Sequence, residues 1–283
     1  MTPAPACEGT LPARWGISIP YPDVGLAEQA EMYAELGDRG YTDFWTLEAS
    51  GWDAFTPLTM VAMRLPAANV GTAIVPVFSR GAAVLAQSAA AMAELAGDRF
   101  TLGLGASTSV IMRDWNGVDY VAPFKRTRDT VRFLRQALSG QRIDSTYDTF
   151  AVHGFRLDRP PPAIPRIMLA ALRPGMLRMA GEEADGAILS WLAPEDIPRV
   201  APHVGPGKEL AARIFVSPCD DKDAVRDAAR RMVASYLSAP VYRAFHECLG
   251  RPSGRPGPTG PDKRPRGAAR IPWPSLRRPC GSG

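Results

Sequence analysis

The stretch that decides the fold is residues 69–106, which read NVGTAIVPVFSRGAAVLAQSAAAMAELAGDRFTLGLGA. Residues 70–77 are rich in β-branched side chains, which favours a strand. Residues 81–96 carry small apolar side chains at helical spacing, which predicts a helix that packs closely on a sheet. Residues 100–104 predict a second strand. Strand, helix and strand in succession form a βαβ unit, which indicates a parallel sheet.

The same alternation continues on both sides of this stretch. Further strands are predicted at residues 15–19, 42–47, 167–171, 187–190 and 213–217. Further helices are predicted at residues 26–38, 56–65, 124–138, 175–183 and 221–237. Asp23 is placed to cap the first helix, and residues 141–165 form a longer connection with a small hairpin. Seven strands in this rhythm predict an α/β TIM (β/α)8-type barrel that lacks its last strand and helix.

Bulk composition is that of a globular protein, with 46% hydrophobic and 22% charged residues among 283. No apolar run reaches the ~18 residues that span a bilayer. The first 16 residues lack the basic and apolar regions of a secretory signal. We therefore expect a cytoplasmic protein with no membrane partner.

Metal and disulfide chemistry have few candidate residues in this chain. The four cysteines stand far apart and form no CxxC pair, so neither a disulfide framework nor a zinc site is indicated. Only three histidines are present. We expect reduced structural cysteines, no metal, and no catalysis that depends on a histidine triad.

Basic charge is concentrated in the last 33 residues. Residues 251–283 carry +7 of a net charge of +4, so the preceding chain carries −3. The same segment holds eight prolines and six glycines, a composition that cannot bury enough apolar surface to fold. We therefore divide the chain into a flexible N-terminus (1–13), a barrel domain (14–249) and a disordered basic tail (250–283). The tail lacks aromatic residues in a helical pattern, so nucleic-acid binding is not favoured.

In a parallel barrel, the loops after the strands form the active face. The turn at residues 105–109, Gly-Ala-Ser-Thr-Ser, offers main-chain N–H groups and three hydroxyls, which suit a phosphate or a ring carbonyl. A plain turn is the competing interpretation. Residues 172–176, Leu-Arg-Pro-Gly-Met, place a proline at the first turn of a helix with Arg173 beside it. This pattern fits an anion site or an ordinary helix start with a surface arginine.

Other side chains at the predicted strand ends have two interpretations each. Glu48 follows the second strand, where it would touch a ring or a hydroxyl or form an ion pair. Four tryptophans would stack on a flat cofactor or belong to the core: Trp45, Trp52, Trp115 and Trp191. The residues alone thus indicate a barrel enzyme with an anion-binding active face, and they do not name a reaction.

Three segments carry a family resemblance: residues 69–80 with 85–106, residues 107–117, and residues 168–191. They resemble the hallmark stretches of the luciferase-like monooxygenase superfamily, and they are most similar to its coenzyme F420-dependent branch. The resemblance runs from about Arg14 to Leu249. It implies a barrel that holds F420, a 5-deazaflavin, and an oxidoreductase that moves a hydride to or from a small organic substrate.

The resemblance also implies positions for the cofactor. A peptide after the third strand, often cis and non-proline, lies behind the ring and would fall near Ala73-Ile74. Phosphate contacts would come from Ser107, Thr108 and the backbone at Gly175-Met176. Together with the strand-end candidates, the expected cofactor-binding residues are Glu48, Ala73, Ile74, Ser107, Thr108, Arg173, Gly175, Met176 and Trp191. No catalytic side chain is assigned, because the deazaflavin carries the hydride.

Two departures from the family leave rival hypotheses open. Many members have an acid–histidine pair after the second strand, whereas Ala49 follows Glu48 here. The family continues past Leu249 with a helix, strand and helix that residues 250–283 do not resemble. The rivals are an FMN-dependent monooxygenase on the same scaffold and an inactive truncated family member. A homodimer is an expected assembly, since members of the superfamily often pair.

Overall fold

The computed structural model describes residues 14–251. The flexible N-terminus expected at residues 1–13 lies outside the described residues, and so does the disordered tail expected at 250–283 apart from its first two residues. Within residues 14–251, no helix is long and apolar enough to cross a bilayer.

Strands and helices alternate along the described chain. The first half comprises β1 (Gly16–Ser18), α1 (Gln29–Asp38), β2 (Asp43–Thr46), α2 (Phe55–Arg64), β3 (Asn69–Thr72), β4 (Val75–Pro76), α3 (Ala82–Ala96), β5 (Phe100–Gly105) and α4 (Pro123–Leu138). The second half comprises β6 (Ile143–Thr146), β7 (Ala151–Phe155), β8 (Arg166–Ala170), α5 (Pro174–Glu183), β9 (Gly186–Ser190), α6 (Ile197–Val204), β10 (Glu209–Arg213), α7 (Lys222–Leu237) and α8 (Pro240–Cys248). A π-helix at Val110–Trp115 follows β5.

One parallel sheet organises the domain, in the order β1-β2-β3-β5-β8-β9-β10, with the short β4 also paired to β5. This is the sequential order of a (β/α) barrel, so the predicted fold class is confirmed. The hairpin predicted within 141–165 is β6-β7, an antiparallel pair outside the main sheet.

The two edge strands of the sheet do not pair with each other. Within residues 14–251, β1 bonds only to β2, and β10 bonds only to β9. No described strand lies between them, which agrees with the expectation of a barrel that lacks one strand. Side chains connect the two edges instead: Arg14, just before β1, forms ion pairs with Asp43 and with Glu209, the first residue of β10.

Alternation along the strands separates two environments. Phe44 of β2 is fully buried and packs edge-on against Tyr33 of α1, so it faces the helices. The neighbouring Trp45 therefore faces the barrel interior. A Cβ built on Gly71 would lie 2.5 Å from the Trp45 ring, and one on Gly16 would lie 2.9 Å from its indole nitrogen. The two glycines make room for the indole in the centre of the barrel.

Three local expectations were wrong or incomplete. Asp23 does not cap α1. Instead, the buried side chain of Gln29 bonds to main-chain groups of Tyr21 and Val24, and a short 3-10 turn leads into the helix. The predicted strand at 70–77 is interrupted between β3 and β4 by a cis peptide at Ala73-Ile74.

The seventh strand was predicted at 213–217, but β10 ends at Arg213. Its register is set by Glu209, which pairs with Gly186 and is held by Arg14 and Arg166. The apolar run Ile214–Val216 that suggested a strand is exposed after the strand has ended. The ion pairs of Glu209 at the amino end of β10 therefore fix the position of this strand, and the apolar pattern of residues 214–216 does not.

Candidate functional site

The carboxyl edge of the parallel sheet carries the loops that follow β2, β4, β5, β8 and β9, and we call this edge the mouth. All nine predicted cofactor-binding residues lie in or beside these loops. Because neighbouring parallel strands end at the same edge, the structure brings their loops together.

The first wall of the mouth is formed at the interruption between β3 and β4. The peptide bond Ala73-Ile74 is cis, at the position that the family resemblance implied. Ile74 accepts a hydrogen bond on its carbonyl oxygen from the Glu48 N–H at 3.1 Å. A Cβ on Gly105 would contact both Ile74 and Ala170 at 3.1 Å, so these three residues meet where β4, β5 and β8 end.

Glu48 is fixed by protein partners on both carboxylate oxygens. Arg80 Nη2 donates to Oε2 at 2.8 Å, and Ser79 Oγ donates to Oε1 at 2.9 Å. The Ala54 N–H adds a longer bond to Oε2 at 3.3 Å. Of the two interpretations, the structure shows the ion pair. The Glu48–Arg80 pair stiffens the loops after β2 and β4.

The turn after β5 is held by its own contacts. Ser107 has φ of 61°, unusual for a residue with a side chain, and its carbonyl oxygen accepts from Tyr120 Oη at 3.0 Å. Thr108 Oγ1 accepts from the Ile111 N–H at 3.3 Å, which starts the π-helix. The Ser107 and Thr108 side chains are half-buried. Burial also raises the pKa of Tyr120, so its phenol stays a neutral donor.

The amino end of α5 supplies the second turn. Arg173 occupies the N-cap position in an extended conformation without a side-chain cap, and Pro174 opens the helix. Among described residues, the N–H groups of Gly175 and Met176 have no backbone partner, whereas Leu177 donates to the Arg173 carbonyl at 3.0 Å. Free N–H groups at a helix start attract anions.

The turn after β5 (105–109) and the turn at the start of α5 (172–176) lie at the same edge of the sheet. β5 and β8 are paired neighbours, with Leu104 opposite Leu169, and each turn follows directly from one of them. Phe124 of α4 lies 3.8 Å from the position of a Gly175 Cβ, beside the second turn. The arrangement therefore presents hydroxyls, main-chain donors and one arginine together at the mouth.

The Trp191 indole packs between other aromatic side chains. Its ring centroid lies 4.5 Å from that of Phe215 and 4.2 Å from that of Tyr236. The indole is thus packed within an aromatic cluster after β9, and its residue has φ of 61°. Trp115 is exposed, and Trp45 faces the barrel interior beside Gly16 and Gly71.

Sequence reasoning missed two residues near the mouth. Tyr120 holds Ser107, as described above, and Arg126 stands in the first turn of α4 with its guanidinium 4.4 Å from the Phe150 ring centre. Burial lowers the pKa of Arg126. The signal for Arg126 was available, because Pro123 marks the helix start. Phe150 comes from the β6-β7 hairpin, whose packing the sequence did not indicate.

The fold and the mouth define a (β/α)-barrel protein with hydroxyls, main-chain donors and Arg173 at the carboxyl edge of its sheet. The family model described as luciferase-like monooxygenase matches residues 10–274, so the chain belongs to that family. The prediction that the family resemblance ends at about Leu249 is therefore wrong, because the match continues to residue 274.

Individual relatives have low sequence identity to this chain. The chain is 26% identical over 218 residues to a 5,10-methylenetetrahydromethanopterin reductase of Methanolobus tindarius, with 73% of this chain covered. The aligned part spans 66% of that relative, just under two thirds of its length.

Solved structures show the same fold. A coenzyme F420-dependent tetrahydromethanopterin reductase of Methanopyrus kandleri superposes with a TM-score of 0.70 at 20% identity, covering 83% of this chain and 75% of that one. The oxygenating constituent of 3,6-diketocamphane monooxygenase of Pseudomonas putida, solved with FMN, gives a TM-score of 0.60 at 14% identity, covering 83% and 74%. Identities this low establish the fold alone.

Proposed function

We propose that this protein is an F420-dependent oxidoreductase that transfers a hydride between the deazaflavin and a small organic substrate. The observation that carries the proposal is the pair of adjacent turns at the mouth, Ser107-Thr108 and Arg173–Met176. The relatives and fold neighbours named above support it, because F420 enzymes are among them.

The residues of the mouth fit such a cofactor. Gly105 leaves space between Ile74 and Ala170 that a larger side chain would fill. The free N–H groups of Gly175 and Met176 would receive the phosphate of the side arm, with Arg173 adding positive charge. A bound deazaflavin supplies the hydride-carrying carbon, so no protein nucleophile is required.

The protein's own part is positioning. Glu48 is engaged with Arg80, so it orders the wall beside the ring instead of acting as a free base. Tyr120 stays protonated and keeps the Ser107 turn in place. Holding the reactants in one geometry is itself a large part of catalysis in such enzymes.

Titration of the purified full-length chain with F420, followed by the fluorescence of the deazaflavin, tests the proposal. We expect saturable binding, weakened when Arg173 is replaced by Gln. A titration without saturation contradicts it. Oxygen consumption with reduced FMN, in the absence of F420 binding, would favour the FMN monooxygenase alternative.

A cooperative thermal transition separates a working barrel from an inactive remnant. The buried apolar side chains of the described residues form one continuous core. Phe44 and Leu104 of the strands and Phe133 of α4 are fully buried in it. We expect a single calorimetric transition. Broad unfolding with strong binding of a hydrophobic dye would support the inactive truncated alternative.

A further inference from the structure

A cavity opens beside the carboxyl ends of β9 and β10, and none of the residues that line it belongs to the turns at Ser107-Thr108 and Arg173–Met176. Its volume is about 480 Å³, which lies within the ~300–1,000 Å³ range typical of small-molecule sites. Apolar and aromatic surface from Trp191, Ile214 and Phe215 lines one part of it. Arg213, His246 and Arg251 line the rest.

Arg213 is the cation of this lining whose charge is available to a ligand. It is the last residue of β10, and its guanidinium carbon lies 4.8 Å from the centre of the Phe215 ring. Among the ion pairs of residues 14–251, none involves Arg213. A guanidinium held over an aromatic ring presents its planar donors to a carboxylate.

Arg251 and His246 also line the cavity, and hydrogen bonds within the protein hold both of them in place. Arg251 Nη2 donates to Asp196 Oδ2 at 2.6 Å, and that carboxylate also accepts from the Ala193 N–H at 2.8 Å. Arg251 Nη1 donates to His246 Nδ1 at 3.1 Å, so Nε2 carries the imidazole proton and is a donor. Burial and the charge of Arg251 lower the pKa of His246, which keeps the ring neutral.

We propose that this cavity binds an organic carboxylate with an apolar body, its carboxylate on Arg213 and His246 and its body against the apolar surface that Trp191, Ile214 and Phe215 leave open to the cavity. The two kinds of lining correspond to the two parts of such a ligand: polar donors for the head and apolar surface for the body. Because Asp196 already neutralises Arg251, one anionic head balances the remaining charge of Arg213. This site is separate from the proposed cofactor turns and requires no cofactor to be tested.

Isothermal titration of the full-length chain with benzoate, without cofactor, tests the site, and benzamide is the uncharged matched probe. We expect saturable benzoate binding and at least about tenfold weaker benzamide binding, because a charge-assisted hydrogen bond is lost. Arg213→Gln should weaken benzoate by about tenfold or more, since it removes the same bond. Arg230→Gln on the exposed face of α7 is the control and should bind as the wild type does.

Equal affinity for the two probes, no saturable binding, or unchanged binding in Arg213→Gln would overturn the proposal. Circular dichroism checks that the variant is folded. If it is not, Arg213→Lys takes its place: it keeps the charge but loses the paired donors, and several-fold weaker benzoate binding is expected. Unchanged affinity in that variant also overturns the proposal.

A titration of benzoate in the presence of F420 separates two sources of the anionic group. Undisturbed affinity assigns the cavity to a separate carboxylate ligand, as proposed. Competition would assign it to the phosphate side arm of the cofactor and overturn the proposal. A chain that fails to bind F420 still gives an answer in the cofactor-free titration, so failure of the two proposals can be told apart.

Discussion

Glu209 Oε1 accepts a hydrogen bond from Arg14 Nη1 at 2.9 Å, which joins the chain just before β1 to the first residue of β10. Glu209 Oε2 also accepts from Arg166 Nη1 at 3.0 Å, and Arg14 reaches Asp43 on β2. Charged side chains therefore tie together the amino ends of β1, β2, β8 and β10, although no backbone ladder joins the two edge strands within residues 14–251.

Glu209→Gln should loosen this connection and lower the stability of the domain by about 1 kcal/mol, the upper part of the range for partly exposed pairs. We expect a loss near the upper end of that range because Glu209 pairs with both Arg14 and Arg166. Thermal melts at low and at 1 M salt measure the effect, which should shrink as salt screens the charges.

Glu31→Gln is the matched control, since Glu31 forms an isolated, exposed pair with Arg64. We expect a smaller change there. Equal losses in the two variants would contradict a special role of the Arg14–Glu209 pair.

Gly71 is predicted to be intolerant of even one methyl group. A Cβ would lie 2.5 Å from the Trp45 ring, and the indole is enclosed on its other side by Gly16. Gly71→Ala should cost about 1–3 kcal/mol by overpacking. Urea denaturation measures it, and Gly51→Ala, where nothing lies within 4 Å of the added atom, is the control expected near zero.

Gly175→Ala separates folding from cofactor binding. The added methyl group would meet only Phe124 at 3.8 Å, an ordinary contact, and alanine is favoured over glycine within a helix by up to about 1 kcal/mol. Stability should therefore be unchanged or slightly higher. F420 affinity should fall, because the methyl group would stand beside the N–H groups proposed for the phosphate.

Fluorescence titration and a thermal melt on the same preparation provide both readings for Gly175→Ala. Arg178→Ala, further along α5 on its exposed side, is the control for changes in the helix. Undiminished F420 affinity in Gly175→Ala would contradict the placement of the phosphate at this helix start.

The sequence was sufficient where local pattern and packing agree. The βαβ unit at 69–106 combines β-branched strands with a helix of small residues, and it folds as predicted, apart from the interruption at Ala73-Ile74. The two turns proposed for the anion lie at one edge of the sheet, as the sequence predicted, because they follow neighbouring parallel strands.

The sequence was insufficient where long-range contacts decide. Whether Glu48 is free depends on Arg80, which lies 32 residues away. Likewise, Trp191 is covered by Phe215, which lies beyond the end of β10 instead of within a strand, and by Tyr236 of α7, whose packing on Trp191 the sequence did not indicate.

Tyr242 makes the stability of the folded chain sensitive to alkaline pH. Burial, and then the neighbouring Tyr236, raise the pKa of Tyr242 to about 12, although Arg213 acts in the opposite direction. The unfolded chain releases this proton near pH 10. The contribution to stability is therefore complete below pH 10 and is lost as the pH rises towards 12, because only the unfolded state ionises easily in that window.

Tyr242→Phe removes the titrating group, so its urea midpoint should fall less between pH 9 and pH 11 than that of the wild type. The difference between the two proteins should be constant below pH 9, which serves as the internal control. Parallel loss of stability in both proteins across that window would contradict the assignment to Tyr242.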